Sequence, residues 1–364
     1  IMEVKINYKS IYNIVKQELL NGFFVNGSML PTEQSMAEKY SVSRPTIAKV
    51  YNQLQSEGYV VKKKGLGTMV IYKASNKIHT FGLLLPGAGE SEIFSIINDQ
   101  FQKKSEGGEF NCLWEGATAS DAYIRTDRIE TCCDNYIRNN VDGIFFAPLE
   151  RVPHANEINL EICKKITDAG IPLVLIDRDI KKAPERSGYD VVGIDNFNAG
   201  CIMGQHMIDA GCDKILFFYR PDSAWSVDLR ISGVRNVALE NDLVFDRTNI
   251  YCGDPENIDF VKKIKFVKGR SGIVCANDST AAVLMSTLDS LGIKISSDVL
   301  VCGSDNMKYS THLKYSLTSF EQPCVDIANV SIDLMNRRLR DKKAITVMVN
   351  LTGTIIPRES SVFV

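Results

Sequence analysis

Two short stretches near the start of the chain place hydrogen-bond donors and positive charges at the two ends of a helical pattern. The first is Ser43-Arg44-Pro45-Thr46, and the second is Lys62-Lys63-Lys64-Gly65-Leu66-Gly67, about twenty residues later. Arginine can read guanine through two hydrogen bonds, lysine can neutralise a phosphate, and glycine lets a backbone approach closely. Each stretch alone is also typical of helix capping or of a solvated turn, but together they indicate a surface that contacts DNA.

The distribution of charge supports this interpretation. The 364-residue chain has a formal net charge of -2, yet residues 1–73 carry ten Lys and Arg against five Glu and no Asp. The remainder is acidic, with 32 Lys and Arg against 39 Asp and Glu. A basic module on an acidic body indicates a polyanionic partner for the first part alone.

In the rest of the chain, polar groups directly follow short apolar runs. These groups are Asp177-Arg178, Asp195-Asn196, Arg220, Asn277-Asp278 and Asp305-Asn306. If the runs are parallel strands, the polar groups meet at the edge of a sheet where ligands bind. Carboxylates, amides and a guanidinium at that edge suit a hydroxyl-rich ligand. Helix capping is the alternative, and we expect it for Asp195 and Asp278 because each directly precedes a helical pattern.

Catalytic and metal-binding motifs are missing from the sequence. The chain contains no Gly-x-Ser-x-Gly, no His-Glu-x-x-His and no Gly-x-x-x-x-Gly-Lys-Ser/Thr. Its histidines, at positions 79, 154, 206 and 312, show no metal-ligand spacing. We therefore expect no catalytic residue, no metal and no cofactor.

The cysteines and the apolar segments indicate a cytoplasmic protein. The ten cysteines lie beyond residue 110 and include no Cys-x-x-Cys pair, which favours buried free thiols over a disulfide framework. The sequence has no apolar stretch long enough to span a membrane and no apolar segment typical of a secretory signal at residues 1–10. We expect no membrane partner.

The first domain has the element order of a winged helix-turn-helix. Residues 8–21, 32–40 and 43–58 show helical spacing, with Thr32 and Ser43 as expected N-caps. Residues 59–72 contain two apolar runs around a Lys/Gly turn, which predicts a β-hairpin. The third helix would present its N-terminal end to the major groove of DNA, with Lys49 on its outer face in reach of a phosphate.

From residue 80 onward, about ten short apolar runs alternate with helical stretches. This pattern predicts parallel strands covered on both faces, and the number of strands favours two βαβ lobes with a crossover near residues 178–191. The predicted fold is α/β, a winged helix-turn-helix followed by a two-lobed sensor with Rossmann-like parallel sheets. The expected boundaries are 1–73 for the first domain, 74–79 for a linker and 80–364 for the body, with lobe 1 at about 80–178 plus 307–340 and lobe 2 at about 190–306 plus 341–358.

The first domain resembles the DNA-binding domain of the GntR family of bacterial transcription regulators. The motifs that carry the resemblance are G-x-x-x-x-G-x-x-L-P-T-E at 22–33, V-S-R-x-T at 42–46, L-x-x-E-G at 54–58 and G-x-G-T at 65–68. The resemblance implies operator DNA as the partner. Together with the exposed lysines, it gives the expected DNA-binding residues as Ser43, Arg44, Pro45, Thr46, Lys49, Lys63, Lys64 and Gly65.

The body resembles the LacI/GalR regulators and the periplasmic sugar-binding proteins over about residues 80–358. Segments that carry this resemblance include "GIPLVLIDR", "VGIDNFNAG", "CANDSTA", "VLVCGSDN" and "LTSFEQP". It implies a periplasmic-binding-protein-like sensor with ligand contacts at Phe94, Glu92, Asp177, Arg178, Ser226, Arg230, Asn277, Asp305 and Gln322. Trp225 could stack on a ligand, although a tryptophan on a helix is more often part of a core.

The two resemblances together imply a ligand-responsive transcription regulator rather than an enzyme. We expect a homodimeric repressor of carbohydrate-utilisation genes whose effector is a monosaccharide such as a pentose. The alternatives are a regulator that responds to a purine or another non-sugar metabolite and, less favoured, an enzyme or a solute-binding protein. The sequence leaves open the effector, the operator and whether the effector relieves or promotes repression.

Overall fold

The chain divides into two compact units, Ile1–Ile78 and His79–Val364. The computed structural model describes residues 8–20, 23–72, 78–86, 92–114, 122–268 and 270–363. Residues 74–77 of the expected linker lie outside the described residues.

Three helices and a β-hairpin make up the first unit. They are α1 (Tyr8–Leu20), α2 (Glu33–Tyr40), α3 (Arg44–Ser56), β1 (Val60–Lys63) and β2 (Gly67–Val70). The Thr32 hydroxyl caps α2, because it accepts a hydrogen bond from the backbone N–H of Ser35 at 3.1 Å. Helices α1 and α3 pack together through buried apolar stripes formed by Ile11, Val15, Leu19, Ile47, Val50 and Leu54. The predicted winged helix-turn-helix is confirmed.

Two sheets of six strands form the second unit. Their strands are β3 (Thr80–Leu84), β4 (Asn111–Leu113), β5 (Gly143–Phe146), β6 (Leu173–Asp177), β7 (Asp190–Ile194), β8 (Lys214–Tyr219), β9 (Ile250–Cys252), β10 (Ser271–Cys275), β11 (Leu300–Ser304), β12 (Thr318–Glu321), β13 (Met348–Leu351) and β14 (Thr354–Ile356). The first sheet has the order β13-β7-β6-β5-β3-β4 and the second β14-β12-β11-β10-β8-β9. All described pairs are parallel except β12–β14, which confirms the predicted two-lobed parallel architecture.

Helices cover both faces of each sheet. They are α4 (Glu92–Glu106), α5 (Ala122–Arg138), α6 (Ala155–Asp168), α7 (Asn196–Asp209), α8 (Ser226–Glu240), α9 (Ile258–Val261), α10 (Asp278–Ser290) and α11 (Cys324–Arg340). Alternate residues of one strand enter different cores: Phe145 of β5 joins the cluster on one face, and Ile144 and Phe146 join the cluster on the other. Side chains buried on both faces explain why the strands appear in the sequence as continuous apolar runs.

The predicted lobe boundaries are wrong at three strands. Strand β7 pairs with β6 and so lies in lobe 1, β13 pairs with β7 in the same lobe, and β12 pairs with β11 in lobe 2. The charged turn at 178–191 is not a crossover, because it folds back on the Asp179 carboxylate, which accepts hydrogen bonds from the backbone N–H groups of Lys181 and Ser187. The chain instead crosses between sheets directly after β7, β12 and β13.

A buried ion pair joins α11 to the first lobe. The wholly buried carboxylate of Asp190 accepts hydrogen bonds from Nε and Nη2 of Arg338 at 2.9 and 2.7 Å, and from the backbone N–H of Val347 at 2.8 Å. Two of these donors belong to one guanidinium, which makes the pair geometrically specific. Helix α11 therefore returns the chain to lobe 1 after β12, before β14 adds the last strand to the second sheet.

Most of the cysteines are buried thiols, as the sequence pattern predicted. The ten cysteines are free thiols; seven are buried, and Cys252 is exposed. Among the helices of the described chain, none combines the length and the apolar character that a membrane crossing requires.

Close packing of α7 against α8 fixes the backbone around Arg230. A Cβ atom added at Gly200 of α7 would lie 2.1 Å from the carbonyl oxygen of Arg230, and one added at Gly233 of α8 would lie 2.0 Å from that of Phe197. Because backbone atoms cannot yield as a side chain can, any larger residue at either glycine must push the helices apart.

We expect Gly200→Ala to lower the free energy of unfolding by about 1–3 kcal/mol through overpacking. The measurement is urea denaturation followed by circular dichroism. Gly107→Ala is the matched control, since an added Cβ there meets its nearest neighbour at an ordinary 3.4 Å. Equal stability of the two variants would show that α7 and α8 can separate without cost.

Candidate functional sites

The N-terminal end of α3 presents the residues expected to read DNA. Ser43, Arg44 and Pro45 are exposed, and the Arg44 side chain is 68% accessible. The Ser43 and Thr46 hydroxyl oxygens lie 2.8 Å apart, so they hydrogen-bond each other across the first turn. Ser43 is the N-cap residue as predicted, but its side chain makes no capping bond to the backbone. This helix end is therefore accessible to solvent, as the end of a DNA-reading helix must be.

Glu33, at the start of α2, connects this helix end to the hairpin. Its carboxylate lies 3.4 Å from Nε of Arg44 and 2.9 Å from Nζ of Lys62. The hydrogen bond from Lys62 is the main cause that lowers the pKa of Glu33. Lys62 is therefore occupied within the domain, and Glu33 is a positioning residue that the sequence interpretation did not identify.

The wing carries the other expected DNA contacts. Lys63, Lys64 and Gly65 are exposed, and Gly65 has a φ of +79°, in the left-handed region that glycine adopts without strain. Lys49 is exposed on α3 with its Nζ 4.6 Å from the ring centroid of Tyr8. All the expected DNA-binding side chains other than the half-buried Thr46 are thus accessible to a phosphate backbone.

A cavity of about 340 Å³ lies between the two lobes of the second unit. Its lining includes most of the expected ligand-binding residues: Phe94, Asp177, Arg178, Arg230, Asn277, Asp305 and Gln322. They come from both lobes because strand ends of both sheets open onto the same cleft, as the strand-end pattern predicted.

Ser226 and Trp225 lie elsewhere. Ser226 is buried and lines an adjoining cavity of about 60 Å³, which shares Asp177 and Arg178 with the cleft, whereas Val227 and Arg230 of the same helix line the cleft itself. Residues three apart share a helix face and an adjacent residue is rotated by about 100°, so the structure places Val227 rather than the expected Ser226 in the cleft. Trp225 donates a hydrogen bond from Nε1 to the carbonyl of Asp179 at 2.9 Å and does not line the cleft. Glu92 begins α4, but its side chain lies outside what the structure describes.

The lobe 1 wall holds an arginine between two carboxylates. Arg178 donates from Nη1 to Asp177 and from Nη2 to the carbonyl of Pro148 at 2.6 Å, and its Nη1 lies 3.8 Å from Glu150. Burial raises the pKa of Asp177 in spite of Arg178. At Glu150 burial acts in the same direction, but Arg178 and the backbone N–H of Ala224 outweigh it and the pKa is lowered.

The opposite wall leaves two buried polar atoms unmatched. Arg230 donates from Nη1 to the carbonyl of Ala276 at 2.6 Å, and Gln322 donates from Nε2 to Asp305 at 2.7 Å. Nε of Arg230 and Oε1 of Gln322 have no hydrogen-bond partner among the described residues, although both side chains are less than 10% exposed. Buried polar groups are normally paired, so this donor and this acceptor are available to a ligand.

Two strand-end residues serve as helix caps. The Asp195 carboxylate accepts a hydrogen bond from the backbone N–H of Asn198 at 2.9 Å, as expected for a capping residue. Asn277 caps α10 in the same way through Thr280 at 2.9 Å while it also lines the cleft. The oxygen of the Asn277 amide is therefore engaged in the cap, and the amide nitrogen is the group left for the expected ligand contact.

Asp278 does not cap α10, contrary to expectation. Its wholly buried carboxylate accepts hydrogen bonds from the backbone N–H of Met307 and from the hydroxyls of Ser310 and Ser319, at 2.6–2.8 Å. Burial raises its pKa to about 6. The residue thereby fixes the loop after β11, which carries Asp305 into the cleft.

Several cleft residues escaped the sequence interpretation, namely Glu150, Arg151, Ser223, Met307 and Tyr309. Glu150 and Arg151 also connect the lobes: the Glu150 carboxylate accepts from the backbone N–H of Ala224, and the backbone N–H of Arg151 donates to the carbonyl of Asp222, each at 3.0 Å. A signal was present, since both follow the apolar run "GIFFAPL". No described group of His, Cys, Asp and Glu has the arrangement of a metal site.

Comparison with known proteins agrees with this geometry. Residues 7–70 match the family of bacterial regulatory proteins named gntR, and residues 205–361 match the periplasmic binding protein-like domain. An arabinose metabolism transcriptional repressor of Halalkalibacterium halodurans is 24% identical, over 94% of this chain and 92% of its own. The HTH-type transcriptional repressor PurR of Aliivibrio fischeri is 21% identical, over 91% and 98%.

Solved structures share the fold. The transcriptional regulator CelR in complex with cellobiose aligns with a TM-score of 0.63 and 19% identity, over 91% of this chain and 100% of its own. A LacI family regulator from Enterococcus faecium with bound ribose aligns with a TM-score of 0.60 and 20% identity, over 78% and 99%. The winged helix and the two-lobed cleft therefore define a ligand-responsive transcription regulator rather than an enzyme. Within that class, the chain combines a GntR-type DNA-binding domain with a periplasmic-binding-protein-like body.

Proposed function

We propose that this regulator represses carbohydrate-utilisation genes, binds operator DNA as a homodimer, and responds to a sugar held between its lobes. The observation that carries the proposal is the pair of unmatched polar atoms in the cleft, Nε of Arg230 and Oε1 of Gln322, beside Asp177 and Asp305. A sugar hydroxyl donates and accepts at once, so it can satisfy both kinds of atom. The arabinose repressor relative and the ribose-bound neighbour support the same ligand class.

The size and charge of the cleft favour a single sugar ring. Its volume of about 340 Å³ is near the lower end of the range for ligand cavities, which is about 300–1,000 Å³. Its acidic and Arg side chains balance in number: Glu150, Asp177, Asp305, Arg151, Arg178 and Arg230. These side chains offer both donors and acceptors of hydrogen bonds in fixed positions, which suits hydroxyl groups.

A purine is less favoured as the ligand of this cleft. Flat bases are usually held by stacking on aromatic side chains. The aromatic residues of the described lining are Phe94 and Tyr309, and Trp225 is turned away toward Asp179. The described lining therefore offers more polar strand-end groups than aromatic surface, which favours a sugar over a purine.

We infer that the sugar acts by favouring one arrangement of the lobes. A ring that contacts Asp177 of lobe 1 and Arg230 of lobe 2 bridges the cleft beside the two lobe-to-lobe bonds, Glu150–Ala224 and Arg151–Asp222. A ligand can shift operator binding only by its difference in affinity for the two states. Residues that contact it from both lobes provide such a difference.

The proposal predicts that a pentose raises the melting temperature of the protein. Stabilisation grows with concentration and reaches about 2.7 kcal/mol at 100 times Kd. A thermal-shift series with L-arabinose, D-ribose, D-xylose, cellobiose, guanine and hypoxanthine measures it. The same compounds are then added to a gel shift with DNA selected in vitro by the protein. Stabilisation by a purine base alone, or sugar binding that leaves DNA affinity unchanged, contradicts the proposal.

A further inference from the structure

A second cavity, of about 250 Å³, adjoins the effector cleft and is lined by Arg151, Arg220, Pro221, Asp222 and Asp254. Arg151 lines both cavities, so they share a wall. Arg151 lies in the loop after β5 of lobe 1, and Arg220 directly follows β8 of lobe 2. Arginines from different lobes thus line one space beside the proposed sugar ring.

Arg220 is the more unusual of the two. Its side chain is 19% exposed, and its buried Nε has no hydrogen-bond partner in the described part of the chain. Burial, followed by the like charge of Arg151, lowers the pKa of Arg220. Its ion-pair partner, Asp254, lies 3.9 Å from Nη1 and is 57% exposed. The Arg220 guanidinium is thus largely buried, has one unmatched donor and lies near a second cation. Its long, solvent-exposed ion pair with Asp254 compensates the charge only weakly, so an anion bound in the cavity would stabilise it.

The backbone is fixed on both sides of this cavity, at Arg151 and at Asp222. Arg151 has a φ of +55° and Asp222 a φ of +56°, a conformation that costs free energy outside glycine and persists where the surroundings enforce it. The bond from the N–H of Arg151 to the carbonyl of Asp222 joins these two residues across the lobes. Asp222, Asp254 and Arg151 are exposed, so water screens their charges, whereas Arg220 is largely buried.

We propose that Arg151 and Arg220 form a subsite for a phosphate group and that the effector is a phosphorylated sugar. This inference rests on the proposed function for the sugar ring, which occupies the cleft lined by Asp177 and Arg230. The phosphate receives hydrogen bonds from one arginine of each lobe. Because the phosphate bridges the lobes, it favours the same arrangement of the lobes as the sugar ring does.

The test measures binding of inorganic phosphate, D-ribose and D-ribose 5-phosphate by calorimetry and thermal shift. In the native protein, we expect phosphate to stabilise the fold and the phosphorylated sugar to bind at least about tenfold more tightly than ribose. In Arg220→Gln, that advantage falls below about twofold and phosphate no longer stabilises, while ribose binding is unchanged. Arg247→Gln, an exposed arginine of the same lobe, is the matched control and keeps the advantage.

Arg151→Gln provides the second variant, from the other lobe, in case Arg220→Gln fails to fold; it is expected to lose the same advantage. The proposal is overturned if ribose binds as tightly as its phosphate, or if phosphate stabilises Arg220→Gln as much as the native protein. Phosphate binding that depends on Arg220 without any binding of ribose supports the subsite and counts against the sugar assignment. If ribose binds and its phosphate binds no more tightly, the result supports the sugar assignment and contradicts the phosphate subsite.

Discussion

Loss of the effector response with operator binding intact is the expected result of Arg230→Ala. The guanidinium is 9% exposed, its Nη1 is held by the carbonyl of Ala276, and its Nε faces the cleft without a described partner. A hydrogen bond to a charged group contributes about 1.5–3 kcal/mol, so loss of two such bonds to the ligand weakens its affinity by at least about 100-fold. The residue belongs to the body, so the DNA-reading surface of α3 is unchanged.

Calorimetry with the sugar found in the thermal-shift series measures the affinity, and a gel shift with and without that sugar measures the response. Arg235→Ala is the matched control, since Arg235 lies on the same helix and does not line the cleft. Arg230→Lys keeps the charge but not the two-donor fork, so we expect an intermediate affinity. A normal response in Arg230→Ala would falsify the assignment of Arg230 to the effector site.

Much of the fold followed from local patterns. Continuous apolar runs predicted buried parallel strands because side chains on both faces of β5 and its neighbours are enclosed. What local patterns cannot encode is the sheet that a strand joins. The turn at 178–191 is charged and rich in turn residues, as linkers are, yet Asp179 folds it back on lobe 1. The chain instead leaves the first sheet directly after Ile194, where one residue, the helix cap Asp195, leads into α7. No linker-like sequence marks this point.

The candidate cleft was predictable where a residue directly follows a strand. Asp177, Asp305 and Arg178 lie at strand ends, and the geometry of parallel sheets brings them to one edge. Glu150 was missed because three residues, 147–149, separate it from the end of β5, so its approach to lobe 2 depends on a loop conformation. Ser226 was misplaced because a residue's position on α8 depends on the exact phase of the helix, which a sequence pattern fixes only to within a residue.

We expect Arg44→Ala to weaken binding to the operator by about 1–3 kcal/mol and to relax specificity at one base pair. Arg44 is the one arginine of residues 1–73, and 68% of its side chain is accessible. Its contact with Glu33 is long, at 3.4 Å, and exposed, so little free energy is lost when the guanidinium turns toward a guanine. Fluorescence anisotropy with the selected operator and each of its single-base variants measures both effects.

Comparison of Lys64→Gln with Arg44→Ala separates the recognition of bases from the neutralisation of phosphate charge. The exposed Lys64 of the wing is expected to contact a phosphate, so its loss should weaken binding to all sequences alike and reduce the slope of log K against log salt by about 1. Arg44→Ala, in contrast, changes the ranking of the base variants. If both variants lower affinity uniformly, Arg44 serves as a phosphate contact and sequence is read elsewhere on α3. If Arg44→Ala alone changes the ranking, specificity depends on this one guanidinium, because no second arginine of the domain can replace it.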